Sequence, residues 1–109
     1  MPNHRYKIKL HKAVITEDSK GFDKQTKEKI KKKCIELLSV SPETVGKQLR
    51  FELKEYRKLV IFDAYRIIYK VIKEEVIVYI LAVGIRRNAA VYTEAIKRLR
   101  NETSTKDDA

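Results

Sequence analysis

The longest patterned stretch of this chain runs from Tyr65 to Tyr92, YRIIYKVIKEEVIVYILAVGIRRNAAVY. Its first part alternates: Tyr65, Ile67, Tyr69 and Val71 fall on one face of a strand, Arg66, Ile68, Lys70 and Ile72 on the other. A charged turn at Lys73-Glu74-Glu75 follows, and then the eight apolar residues Val76 to Val83, VIVYILAV. This run is rich in β-branched residues and the right length for a strand buried on both faces, so it is expected to be the interior spine of a sheet. It is expected to stop at Gly84 and to deliver Arg86, Arg87 and then Tyr92 to the edge of the core. Cations at the end of a rigid strand are what a site for an anionic ligand requires.

The remaining periods complete the picture. Arg5 to His11 alternates Tyr6, Ile8 and Leu10 inward with Arg5, Lys7 and Lys9 outward, a half-buried first strand. Lys12 to Lys20 reads as a short helix stopped by Gly21. From Asp23, a suitable N-cap, to Ser39, residues Ile30, Cys34, Leu37 and Leu38 recur at helical spacing, predicting an amphipathic helix packed on the sheet. Val40 to Arg50, with Pro42 and Gly46, reads as the longest loop, pinned by Leu49 and Phe51. Residues 53–71 read as two β-rich runs broken at Asp63-Ala64, hence a hairpin. Asn88 can cap a last helix with Val91, Ala95, Ile96 and Leu99 on its apolar face. The expectation is a single α+β domain over residues 1–101, followed by a disordered tail over 102–109, where the composition turns small and polar.

Charge changes the picture next. The 109 residues carry 25 Lys and Arg against 15 Asp and Glu, a net +10, and the acidic tail leaves +12 on residues 1–101. That excess suits a polyanionic partner, nucleic acid first and an acidic protein second, although a lysine-rich solvated surface has the same composition. Lys31, Lys32 and Lys33 on the long helix are one candidate patch. The single cysteine, Cys34, excludes an internal disulfide and suits a reducing compartment. No apolar run reaches membrane-span length, and the charged N-terminus MPNHRYKIKLHK lacks a signal-peptide core, so a soluble cytoplasmic protein is expected.

Several chemistries find no support. His4 and His11 have no cysteine or carboxylate at ligand spacing, which argues against a metal site, and the glycines at 21, 46 and 84 are isolated, so there is no phosphate loop. No cofactor is implied. What remains is a cationic and phenolic set: Lys54, Arg57, Lys58, Arg66, Arg86, Arg87 and Tyr92. Pairing of the hairpin with the spine strand would bring Arg66, Arg86 and Tyr92 together; the competing reading has Tyr92 as core and the arginines in surface ion pairs.

The run LKEYRKL over residues 53–59, then YRIIY from Tyr65, VGIRR from Val83 and Val91-Tyr92, resembles the RelE branch of the RelE/ParE toxin superfamily, over nearly the whole chain from Tyr6 to Leu99. The resemblance implies a curved, mainly antiparallel sheet of about four strands with helices packed on it. It implies a type II toxin–antitoxin system and metal-independent cleavage of messenger RNA, typically on the ribosome, with a cognate antitoxin as partner. By position it makes Arg66 the transition-state arginine, Arg86 the arginine near the leaving group, Tyr92 the general base and Arg57 a first catalytic lysine's replacement. The second lysine position falls on Leu59, with Lys58 one step off register, so Lys54 or Lys58 substitutes or the set is smaller. Lys54, Lys58, Arg87 and Lys31 to Lys33 are the candidate RNA contacts. A ParE-like gyrase inhibitor without catalysis, or an inactive relative, are the alternatives on the same fold.

Overall fold

The computed structural model describes residues 5–108, with the backbone alone for 102–108, so the expected disordered tail at 102–109 lies outside the described side chains and His4 outside the described residues. The spine is where the apolar run places it. β5 (Ile77–Ile85) lies inside a five-stranded sheet ordered β1-β5-β4-β3-β2, between β1 (Lys7–Leu10) and β4 (Tyr65–Ile72). β1 runs parallel to β5, and the pairs β5–β4, β4–β3 and β3–β2 are antiparallel, with β3 at Arg57–Ile61 and β2 at Lys47–Gln48. β5 starts one residue later than expected because Val76 takes a left-handed conformation, φ 55°, to close the preceding turn. It also runs on through Gly84, which pairs with Arg66, rather than stopping there.

Helices cover both faces. α1 (Lys12–Thr16) and α2 (Lys24–Leu38) pack on one face, where Val14, Ile30, Cys34 and Leu38 meet Leu59, Ile61, Ile67, Tyr69, Val78 and Ile80. Asp23 caps α2 as expected, its Oδ1 accepting from Thr26 N at 2.8 Å. α4 (Ala90–Asp108) packs on the other face, where Val91 and Ala95 meet Leu53, Tyr56, Ile68, Leu81 and Ala82. A bulge lets β5 serve both layers: Ile68 pairs with Ala82 but Tyr69 with Ile80, so Leu81 is an extra residue and joins Ala82 under α4. No helix among the described residues is long and apolar enough to cross a membrane.

Several local expectations are corrected. The stretch Val40 to Arg50 is not one loop, because it holds α3 (Pro42–Val45) and β2, and the extra edge strand makes five rather than about four. Tyr69, fully buried, donates its hydroxyl to Pro42 O at 2.6 Å and fixes α3 from below. Phe51 pins nothing: it is 86% exposed, and Leu53 instead enters the core beside Leu49. The short first helix ends at Thr16, followed by a tight turn over Asp18–Gly21, and Leu10 at the end of the first strand is 43% exposed rather than inward. The hairpin turn does fall at residues 62–64, with Phe62 and Asp63 both left-handed and Ala64 N donating to Ile61 O at 3.0 Å.

Candidate active site

The face under α4 is covered only in part, and its uncovered margin carries the cations. On β4, Arg66 stands on the same side as Ile68, opposite Gly84 of β5 and Val60 of β3. Gly84 decides how closely the helix comes: a Cβ there would lie 2.8 Å from the Cβ of Val91, so only glycine lets the first turn of α4 rest on the strand. Asn88 starts that turn by accepting from Ala90 N at 2.9 Å. Tyr92, the next residue along, is thereby set against β4, and the Arg66 guanidinium carbon lies 4.8 Å from its ring centroid. The contact is a cation–π pairing that holds the arginine against the tyrosine ring. Among the described residues Arg66 Nε is buried with no hydrogen-bond partner, as is Arg57 Nε on the other face of the sheet.

Farther along the same face, Lys70 Nζ lies 5.3 Å from the ring centroid of Tyr56. Lys58 pairs across the sheet with Ile68 and so shares the face of Arg66, half-buried on β3. Lys54 is exposed, next to Leu53, which packs into the cluster under α4. The face therefore brings together Arg66, Tyr92, Lys58 and Lys70.

Arg86 sits beside this group but is engaged elsewhere. Its N–H donates to Ala64 O at 2.8 Å, and its Nη1 meets Asp63 Oδ1 of the hairpin turn at 2.5 Å. Both side chains are about half exposed or more, so the pair contributes at most ~1 kcal/mol and can be exchanged for a stronger anion. Arg87 is exposed in the turn before α4.

Arg57 does not belong to the group. It pairs with Tyr69 and shares the parity of Leu59 and Ile61, whose side chains face α2. Its guanidinium donates to Gly46 O at 2.6 Å and to Gln48 Oε1 at 3.2 Å, a structural post for the edge strand. It also lies close to the Tyr69 phenol, whose pKa burial raises and Arg57 pulls back. Lys31 and Lys32 are likewise on the far side, exposed on α2, while Lys33 pairs with Glu36 at 3.2 Å and approaches the Phe62 ring. The sheet separates these three lysines from Arg66 and Tyr92. Leu59 is buried and belongs to the core.

Sequence reasoning missed the tie that fixes α4. Arg98 is 5% exposed, donates twice to the Asp18 carboxylate at 2.7 and 2.8 Å, and donates to Leu81 O at 3.0 Å. Asp18 Oδ2 in turn accepts from Val83 N at 2.8 Å. Beyond the end of β1, this pair replaces a neighbouring strand along β5. His11, set aside as a ligand, caps α1, its Nδ1 accepting from Ala13 N at 3.0 Å.

Comparison with known proteins bears on this geometry. The family described as "ParE toxin of type II toxin-antitoxin system, parDE" matches residues 7–90. The chain is 38% identical over 73 residues to the mRNA interferase toxin RelE of Escherichia coli K12, covering 67% of this chain and 76% of that protein. Its fold is similar to that in the RelBE2 toxin–antitoxin complex of Mycobacterium tuberculosis, with a TM-score of 0.71 at 24% identity over 80% of this chain and 98% of that one. It is similar also to a double-arginine mutant of E. coli RelE bound to an antitoxin RelBc peptide, with a TM-score of 0.60 at 26% identity over 84% of this chain and 94% of that one.

Proposed function

The chain belongs to the RelE/ParE toxin superfamily, and from that premise we propose that it is the toxin of a type II toxin–antitoxin pair that cleaves messenger RNA through the face bearing Arg66 and Tyr92. The observation that carries this reading is the Arg66 guanidinium lying over the Tyr92 ring on a sheet face that also bears Lys58 and Lys70. A toxin that acts only by binding a protein has no need of such a pair, which favours the nuclease over a gyrase inhibitor.

The chemistry assigns each group a task. The ribose 2′-hydroxyl attacks the adjacent phosphorus, and the resulting phosphorane carries more negative charge than the diester. Arg66 meets that charge with a fork that matches two non-bridging oxygens, and Tyr92 takes the hydroxyl proton. Tyr92 lies beyond the family match at residues 7–90, so its role rests on its contact with Arg66. The bond from phosphorus to the 5′-oxygen then breaks, giving the 2′,3′-cyclic phosphate, and Arg86, released from Asp63, meets the charge on the leaving 5′-oxygen. Lys58 supplies the cation that the ungapped alignment assigns to Leu59, and Lys54 and Arg87 hold the backbone of the strand. The reaction runs without a metal, on ribosome-bound messenger in the cytoplasm. The +10 net charge suits an antitoxin acidic where it meets this chain.

Purified toxin added to ribosomes programmed with messenger should yield fragments ending in a 2′,3′-cyclic phosphate or its opened 3′-phosphate, and a 2′-deoxy substitution at the cut should block them. Arg66→Ala should lower the single-turnover rate at saturation, whereas Lys54→Ala should weaken binding and flatten its salt dependence. Inhibition of DNA supercoiling with messenger left intact would replace this reading with the gyrase one.

The close approach at Gly84 gives a separate test. Gly84→Ala puts a Cβ 2.8 Å from Val91 Cβ and must lift the first turn of α4. Moving Tyr92 off Arg66 by a few tenths of an ångström to ~1 Å should lower cleavage by about 10- to 100-fold, with RNA affinity changed much less. An unaltered rate would mean that the Arg66–Tyr92 spacing is immaterial.

A further inference from the structure

One large apolar side chain is presented to solvent as no other is. Phe51 is 86% exposed, and the next most exposed large hydrophobic residue among those described, Ile15, reaches 58%. Its backbone is left-handed at φ 56°, a conformation that glycine adopts freely and phenylalanine does not. A residue that is both strained and unburied contributes nothing to folding where it stands. Its neighbours do the folding: Leu49 and Leu53, on either side, enter the cluster under α4.

The segment that carries Phe51 is rigid. Leu49 N donates to Tyr56 O at 3.0 Å, Leu53 N to Arg50 O at 3.1 Å and Lys54 N to Phe51 O at 3.1 Å, while the Gln48 side-chain amide donates to Lys54 O. The backbone that presents the ring is therefore held in place, in a segment whose Leu49 and Leu53 pack on the α4 side of the sheet that also carries Arg66 and Lys58. The surroundings are cationic: residues 47–58 hold five Lys and Arg against two Glu, and one of the two, Glu52, is tied to Arg100. Phe62, the other left-handed exposed phenylalanine, differs in having Lys29 and Lys33 over its ring at 5.0 and 5.8 Å. Among the described residues Phe51 makes no such contact, and its π-face is open.

We propose that Phe51 is a stacking platform for an unpaired nucleobase, which extends the RNA-binding face beyond the reacting phosphate. An aromatic face among cations is the surface on which single-stranded RNA is held, the ring taking a base and the cations the backbone. The inference rests on the nuclease reading and adds a base contact to it. The base comes from the messenger or from ribosomal RNA unstacked beside it; the chemistry is the same for both.

The test uses the full chain with a short messenger oligonucleotide that carries 2-aminopurine, free and programmed on ribosomes, with a 2′-deoxy block at the cut for binding and without the block for cleavage. Phe51→Leu keeps an apolar side chain and loses the π-face. It should weaken binding by about 5- to 150-fold, the range for one stacked base, and leave the salt dependence and the saturated cleavage rate unchanged. Phe51→Trp should bind at least as tightly as the wild type. Phe51→Gly should melt a few degrees higher, since the strain is gone, and still lose affinity, which separates this role from a structural one. Loss of 2-aminopurine quenching in Phe51→Leu assigns the base to the messenger; weakened ribosome binding with quenching unchanged assigns it to ribosomal RNA. Wild-type cleavage with Phe51→Leu binding normally overturns the platform alone, and the same variant failing only against the antitoxin gives the ring to a protein partner and overturns it too. A wild type that neither binds nor cleaves RNA overturns the nuclease reading and the platform with it.

Discussion

Asp18→Ala is expected to remove about 3–5 kcal/mol of folding stability, a large share of what a domain of this size has. The loss has two sources. Arg98 is 5% exposed and would keep its charge with Leu81 O and the more distant, exposed Glu17 as its remaining partners. Val83 N would lose its acceptor on an edge of β5 that no strand covers. The Asp18 hydrogen bond raises the Arg98 pKa against the pull of burial, so Arg98 keeps its charge. Urea denaturation should show the midpoint fall with little change in slope. Replacing both partners, Asp18→Leu with Arg98→Met, should recover part of the loss, because no buried charge is then left unpaired. A loss below ~1 kcal/mol in the single variant would mean that the pair behaves as a solvated surface contact.

That tie explains much of what was illegible in the sequence. Periodicity located β4, β5 and α2 because each depends on residues within the element, and the apolar run at Val76 to Val83 is decisive by itself. Asp18 and Arg98 are 80 residues apart, and nothing local marks them. Their meeting depends on β1 ending at Leu10 and on the bulge at Leu81, both set by tertiary packing. The same holds for β2 and α3, two and four residues long, which the sheet holds through Tyr69 on Pro42 O in α3 and Arg57 on Gly46 O between the two.

The candidate site was legible in part for a related reason. Arg66 and Tyr92 stand together as the strand pairing suggested. The orientation of β3 was the point of failure. RKLVI contains three adjacent apolar residues, so its inward face cannot be read from alternation alone. Once Leu59 and Ile61 are known to face α2, parity turns Arg57 toward Gly46 and Lys58 toward Arg66. Phe51 was read as an anchor on hydrophobicity alone, and the left-handed backbone that turns it outward has no glycine or asparagine to announce it.

Tyr92→Phe should lower cleavage by about 10²- to 10⁴-fold, the range for loss of one acid or base group. Tyr92 is suited to the test because it lies at the margin of the cluster under α4, only partly buried. Phenylalanine keeps the ring, its packing and the face on which Arg66 rests at 4.8 Å, so melting temperature and RNA affinity should stay near those of the wild type. Only the phenolic oxygen is lost. Among the groups on this face an arginine cannot give up its proton, and a phenol or a lysine accepts one only in its deprotonated form, which leaves Tyr92 and Lys58 as the two candidate bases. A fall in the single-turnover rate with binding intact therefore assigns the proton transfer to the tyrosine oxygen. Normal cleavage by Tyr92→Phe would make Tyr92 a packing residue that merely holds Arg66. Lys58, in its deprotonated form, would then be the base to test, and Lys58→Arg, which keeps the charge but cannot accept a proton, should abolish the reaction in its place.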